Sequence, residues 1–102
     1  MWLAEEMIKF FDFPPLQGTD NQVAVAEKIR VRILLDLIDE IARRHQNSVS
    51  KFGDELYQKI FQLIQENSIP ESNVFWEISR QDWAIWWIEN RFSTVADFLG
   101  HI

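Results

Sequence analysis

Cysteine is absent from the 102 residues, which removes disulfides, thiolate nucleophiles and cysteine-bound zinc together. A small secreted domain would more often carry cysteines. Glycine and proline occur only three times each, so no glycine-rich phosphate loop is present and long uninterrupted helices are permitted. Apolar runs are too short to span a membrane. The opening residues Met1-Trp2-Leu3-Ala4-Glu5-Glu6 place acid where a secretory signal needs base, so the expected location is cytoplasmic. Positive charge is the scarcer sign. Ten Lys and Arg against 16 Asp and Glu leave a net charge of -6, a field that favours solubility and repels a phosphate backbone at long range.

Apolar and aromatic residues are plentiful. The chain is 47% hydrophobic and 14% aromatic, with five Trp and eight Phe, which is globular and not disordered composition. Its length allows one domain and little more than one core. The expected fold is therefore all-α, a small bundle of about four to five helices with one long central helix and a Trp-rich helix near the C-terminus.

Residues 2–13 alternate Trp2, Leu3, Met7, Ile8, Phe10, Phe11 and Phe13 with Glu5, Glu6 and Lys9. The pattern predicts a short amphipathic helix packed on the bundle and ended by Pro14-Pro15. A second helix has the strongest start signal, with Thr19 as N-cap, Gln22 completing a capping box and Asp20 favourable to the dipole. It is predicted to run to about Arg44 or His45. Ala26, Ile29, Ile33, Leu37 and Ile41 form one apolar line at helical spacing, and Val31, Leu34, Leu35, Ile38 and Ala42 a second beside it. Lys28, Arg32, Asp36, Asp39 and Arg43 make a continuous polar strip. A helix so widely apolar is packed on two sides, within a bundle or at a subunit interface.

Residues 47–50 read as a break, followed by a third helix over residues 51–66 with Phe52, Leu56, Ile60, Leu63 and Ile64 on its apolar face. Residues 67–73, with Pro70, read as the longest polar loop. Val74 to Ile78 is open between a helical turn and an extended piece. Ser79 with Asp82 is expected to cap a deeply docked fourth helix carrying Trp83, Trp86 and Trp87 to about Phe92. Ser93-Thr94 can cap a last short helix over residues 95–99, stopped by Gly100.

Two stretches, Leu16-Gln17-Gly18-Thr19-Asp20-Asn21-Gln22-Val23-Ala24-Val25-Ala26-Glu27-Lys28-Ile29-Arg30 and Trp86-Trp87-Ile88-Glu89-Asn90-Arg91, together resemble an uncharacterised family of small helical bacterial and phage proteins. The family pattern looks like Leu-x-Gly-Thr/Ser-x-x-Gln-x-x-Trp-Ala-Glu-x-Ile-Arg, followed far downstream by Trp-Trp-Ile-Asp-Asn-Arg. The match covers about a fifth of the chain. It departs from the pattern at Val25, where the family has Trp, and at Glu89, where it has Asp. The resemblance implies no activity.

Several constellations invite a chemical reading. Trp76, Trp83, Trp86 and Trp87 with Arg80 and Arg91 could form a stacking platform for single-stranded nucleic acid, but rings at helical core spacing in an acidic chain favour packing. Glu27, Arg30, Glu89 and Arg91 carry the carboxylates and guanidiniums a carboxylate-based catalyst would use. The favoured reading is a structural network joining helix two to the tryptophan helix, with Glu27 pairing Arg91 or Arg30 pairing Glu89, and with Asn90 satisfying nearby backbone. His45 and His101 have no partners at ligand spacing, so neither metal nor cofactor is expected. No catalytic motif is present. The leading expectation is a protein-interaction module with a protein partner or homo-oligomer, and no membrane. The rival is a nucleic-acid-associated accessory factor of a phage or mobile element, using Lys28, Arg32, Arg43 and Arg44.

Overall fold

A computed structural model describes residues 2–100; His101 lies outside them. Six α-helices follow one another: α1 Trp2–Phe11, α2 Asp20–Val49, α3 Gly53–Gln65, α4 Glu71–Ser79, α5 Ala84–Glu89 and α6 Val95–Leu99. Among the described residues there is no β-strand, only an isolated parallel bridge between Gln17 and Trp83. The fold is all-α.

The 30 residues of α2 extend about 45 Å at the usual helical rise, matching the 44 Å long axis of the molecule. Each of the other five helices touches α2, so its wide apolar circumference is explained by intramolecular packing on several sides. Ala26, Ile33, Leu34, Leu37, Ile38, Ile41 and Ala42 are buried along it. Its start is the capping box expected: Thr19 Oγ1 accepts from the Gln22 backbone N–H, and Gln22 Oε1 accepts from the Thr19 N–H. The end lies four to five residues beyond the one expected. Residues 47–49 stay helical because neither glycine nor proline interrupts them, and Ser50 closes the helix in the left-handed region at φ 58°, its N–H bonding Gln46 O.

The third helix is correspondingly shorter than expected at its N-terminus. Phe52 is extended and 73% exposed, off the apolar face on which Leu56, Ile60, Phe61 and Ile64 are buried. Asn67, left-handed at φ 57°, turns the chain; the Ser68 N–H bonds Leu63 O at 2.9 Å in a Schellman arrangement.

Residues 71–73, expected in a loop, open α4, which also settles Val74 to Ile78 as helical. Pro70 fits here because a proline at a helix start has no amide hydrogen to leave unpaired. The N-terminal helix packs on α2 and α3. Phe11 is its anchor, lying 5.5 Å from Phe61, 4.8 Å from Phe75 and 5.5 Å from Trp76, ring centre to ring centre. Asp12, left-handed at φ 49°, ends α1 before the prolines are reached.

Ser79 and Asp82 do not cap the tryptophan helix. Ser79 is the last residue of α4 and its hydroxyl donates to Trp76 O. Asp82 turns instead to the connector before α2: its backbone oxygen accepts from the Gln17 N–H at 2.7 Å and its carboxylate from Gln17 Nε2 at 2.6 Å. With the Ala84 N–H bonding Gln17 O, these contacts staple the start of α5 to the start of α2. The helix then ends at Glu89, before Phe92. Thr94 caps α6, in a reciprocal box with Asp97.

Candidate interaction surface

Helix α5, which carries most of the stretch 86–91, packs on α2, which carries most of the stretch 16–30. A Cβ on Gly18, whose φ is 154°, would lie 2.9 Å from Gln22 Oε1 and 3.1 Å from Ala84 Cβ, so glycine allows α5 to dock on the capping box of α2. Leu16 and Ala26 are buried on one side of this junction and Ala84 and Trp87 on the other. The Trp87 indole N–H donates to Gln81 O at 2.8 Å, and Trp86 packs edge-on against it at 4.9 Å. Gly18 and Trp87 thus belong to the joint between two helices, which is a structural role.

The four tryptophans of the expected cluster divide by environment. Trp87 is fully buried; Trp76 and Trp86 are half-buried and packed on the core. Trp83, the residue before α5, is 58% exposed. Beyond the helix, Phe92 is 83% exposed with the Arg91 guanidinium over its face at 4.7 Å.

Of the charged candidates, Glu27, Glu89 and Arg91 are exposed and Arg30 is half-buried. The ion pairs expected between Glu27 and Arg91 and between Arg30 and Glu89 do not form. Arg30 Nη1 donates to Pro14 O at 2.6 Å, with its guanidinium 5.7 Å from the Phe13 ring centre. Burial lowers the pKa of this guanidinium, opposed by the charge of Glu27, and arginine remains charged at any ordinary pH. Arg91 Nη1 bonds Ile88 O, and its own carbonyl accepts from Arg32 Nη2 at 2.5 Å. Asn90 Nδ2 bonds Trp86 O at 2.8 Å, satisfying backbone as expected. Glu27 and Arg91 miss each other because the chain just beyond α5 meets α2 at Arg32, which lies about 140° around that helix from Glu27 at helical spacing. Glu27 faces the α1 side, lining a cleft with Ile8, Asp12, Phe13, Arg30 and Val31.

The buried ionic contact lies elsewhere, where the sequence reading placed a loop. Glu71 is 3% exposed. Its Oε1 is 3.0 Å from His45 Nε2 and its Oε2 3.4 Å from Arg44 Nη1, tying the last turns of α2 to the first turn of α4. Arg44 Nε also approaches Glu40 Oε2 at 3.5 Å, and Arg43 pairs with Glu40. Burial pushes the Glu71 carboxyl pKa up. Hydrogen bonds from His45, its own backbone and Arg44, with the charge of His45, outweigh that and hold it below the usual glutamate value. The available signal was Pro70-Glu71, a helix-start pair. The arrangement of this cluster is that of a clamp between α2 and α4.

An open apolar cleft lies along α2. Leu3 of α1 and Val31 and Leu35 of α2, all half-buried, form its floor; Lys28 and Arg32 border one end and Asp36 and Asp39 the other. Its volume is about 360 Å³. Neighbouring depressions share Val31 with Ile8 and Phe13 on one side and with Ala24 on another. Tyr57 of α3 reaches this face from behind, its hydroxyl donating to Asp39 Oδ1 at 2.7 Å. That bond, then burial and the Asp39 charge, raise the phenol pKa to about 12. Tyr57 is the only tyrosine, so alkaline absorbance titration reads it directly. A midpoint near 12 is expected in the native protein, falling toward the ordinary value of about 10 in Asp39→Asn. Coincident midpoints would show that the bond does not persist in solution.

Comparison with family models, with curated proteins and with solved structures finds no match to this chain. Among the described residues, no three His, Asp or Glu side chains gather in a group able to hold a metal ion, and no helix is long and apolar enough to cross a membrane.

Proposed function

We propose that this chain is a small helical protein-interaction module that self-associates through the outward face of α2. The observation that carries this reading is the cleft of Leu3, Val31 and Leu35. Five helices already pack on α2, yet this central apolar face stays open, flanked by the exposed Ile8 of α1 and Val25 of α2. Apolar surface grouped on one face and rimmed by charge is the usual mark of a docking surface. The resemblance to small bacterial and phage proteins is compatible with this role and adds no chemistry to it.

Val31 suits a direct test because it lines the cleft without belonging to the packed core. Light scattering on a sizing column should give more than the 12.2 kDa monomer mass for the native protein at concentrations of order 100 μM, the range of modest interfaces. Val31→Glu should elute as the monomer with an unchanged melting temperature. A native protein that is monomeric throughout, or a variant that assembles as well as the parent, overturns the reading.

A second reading, binding of single-stranded nucleic acid, is favoured by Trp83 and by Phe92 beneath the Arg91 guanidinium. Exposed rings beside arginine are what base stacking uses. The net charge of -6 opposes it. Salt-sensitive quenching of tryptophan fluorescence by an oligonucleotide, lost in Phe92→Ala, would establish this reading in place of the first.

A further inference from the structure

We infer that the partner on this face is a second copy of the chain lying antiparallel along α2, with Lys28 and Arg32 of each copy set against Asp39 and Asp36 of the other. The inference rests on the self-association reading above and assigns its register.

The argument is the order of charge along one helix face. Lys28, Arg32, Asp36 and Asp39 border a single cleft, two cations followed by two anions, with Leu3, Val31 and Leu35 between them. All four charged residues are exposed; the side chains of Arg32 and Asp36 keep 49% and 53% of their accessible surface. A twofold axis crossing α2 near residue 34 places Arg32 opposite Asp36 of the partner, each about 3 Å along the helix from the axis, and Lys28 within about 2 Å of the level of the partner's Asp39. A parallel arrangement would set cations against cations and anions against anions, which repel. The strip is therefore self-complementary in one orientation only.

The groups involved are available for exchange between molecules. Arg32 gives Nη2 to the Arg91 carbonyl and approaches Asp36 within the chain only at 3.9 Å, a loose exposed contact worth little, so the rest of its guanidinium can meet a carboxylate of the partner. Asp39 accepts at Oδ1 from Tyr57, which holds its carboxylate at the cleft that it lines. The half-buried Leu3, Val31 and Leu35 supply the apolar centre, and the four ion pairs at its edges select the orientation.

Charge reversal tests the register. Two double variants, Lys28→Glu with Arg32→Glu and Asp36→Lys with Asp39→Lys, carry strips of one sign each. Sedimentation should show each weakened in self-association by at least about tenfold, the scale of like-charge juxtaposition. An equimolar mixture should recover the mass of the native assembly, because the all-acidic strip now meets an all-basic one. Circular dichroism melts establish that each variant is folded; if the loss of the Tyr57 bond unfolds the second, Asp36→Lys alone replaces it. Recovery on mixing supports the antiparallel register. A native assembly that neither double variant weakens, or variants that weaken without recovery on mixing, overturns it while leaving self-association standing. A native protein without any assembly removes both.

Discussion

Replacing Trp87 with alanine is expected to cost about 3–5 kcal/mol, the usual loss on emptying a large aromatic site, out of a total of about 5–15 kcal/mol for a domain. Trp87 is completely buried at the joint of α5 and α2, and its indole N–H is the partner of Gln81 O. Removing it therefore leaves a cavity beside α2 and a carbonyl without its donor. Thermal melts should show a broadened or missing transition. Trp87→Phe should fall between the two, retaining most of the ring while losing the hydrogen bond. Trp86→Ala serves as the internal comparison. That ring is half-buried, against Trp87 and Phe98, so its loss uncovers less apolar surface and should cost clearly less. Equal losses at the two positions would contradict the packing described for α5.

The second large effect is expected at Glu71. Glu71→Ala should cost about 2–3 kcal/mol, below the roughly 3–5 kcal/mol for breaking a fully buried pair, because Arg44 retains Glu40 and both Arg44 and His45 reach solvent. Its pH dependence has a definite sign. The folded carboxyl titrates below the ordinary glutamate value, so the stabilisation is present above the unfolded value of about 4.3 and is lost as pH falls through the lower folded one. Denaturant titrations of the native protein and of Glu71→Gln should therefore differ most above the ordinary glutamate value and converge only as pH falls through the lower folded one. A difference independent of pH would show that the carboxylate charge contributes nothing and that only shape is lost.

These two sites had unequal visibility in the sequence. Trp87 stood in a recognisable stretch at helical spacing, and its burial followed from apolar periodicity. Glu71 follows the polar Asn67 and Ser68, a pattern that predicts a loop. Only the folding of α4 back against the end of α2 makes it a buried carboxylate, since its partners are 26 and 27 residues earlier in the chain. The reverse happened at Glu27. The structural network expected from the sequence pairs it with Arg91, whereas the open cleft beside α1 leaves it in solvent. The strip of Lys28, Arg32, Asp36, Asp39 and Arg43 is legible as a face, but not the apolar cleft of Leu3, Val31 and Leu35 beside it.

What the sequence by itself determined is local. Thr19 with Gln22 and Thr94 start helices wherever the chain goes, because a cap closes its hydrogen bonds within three residues, and apolar recurrence every three to four residues makes α2 and α3 helical and gives them core-facing sides. Helix ends were less secure, since α2 continued through residues 47–49 once no breaker stopped it. Tertiary structure alone decided which tryptophan is enclosed, which carboxylate is paired and which apolar residues stay uncovered. Burial and pairing depend on which distant helix arrives at a given face. Here that was settled by Gly18 admitting Ala84, by Gln17 bonding residues 82 and 84, and by α4 docking on the last turns of α2, contacts between segments that no local period records.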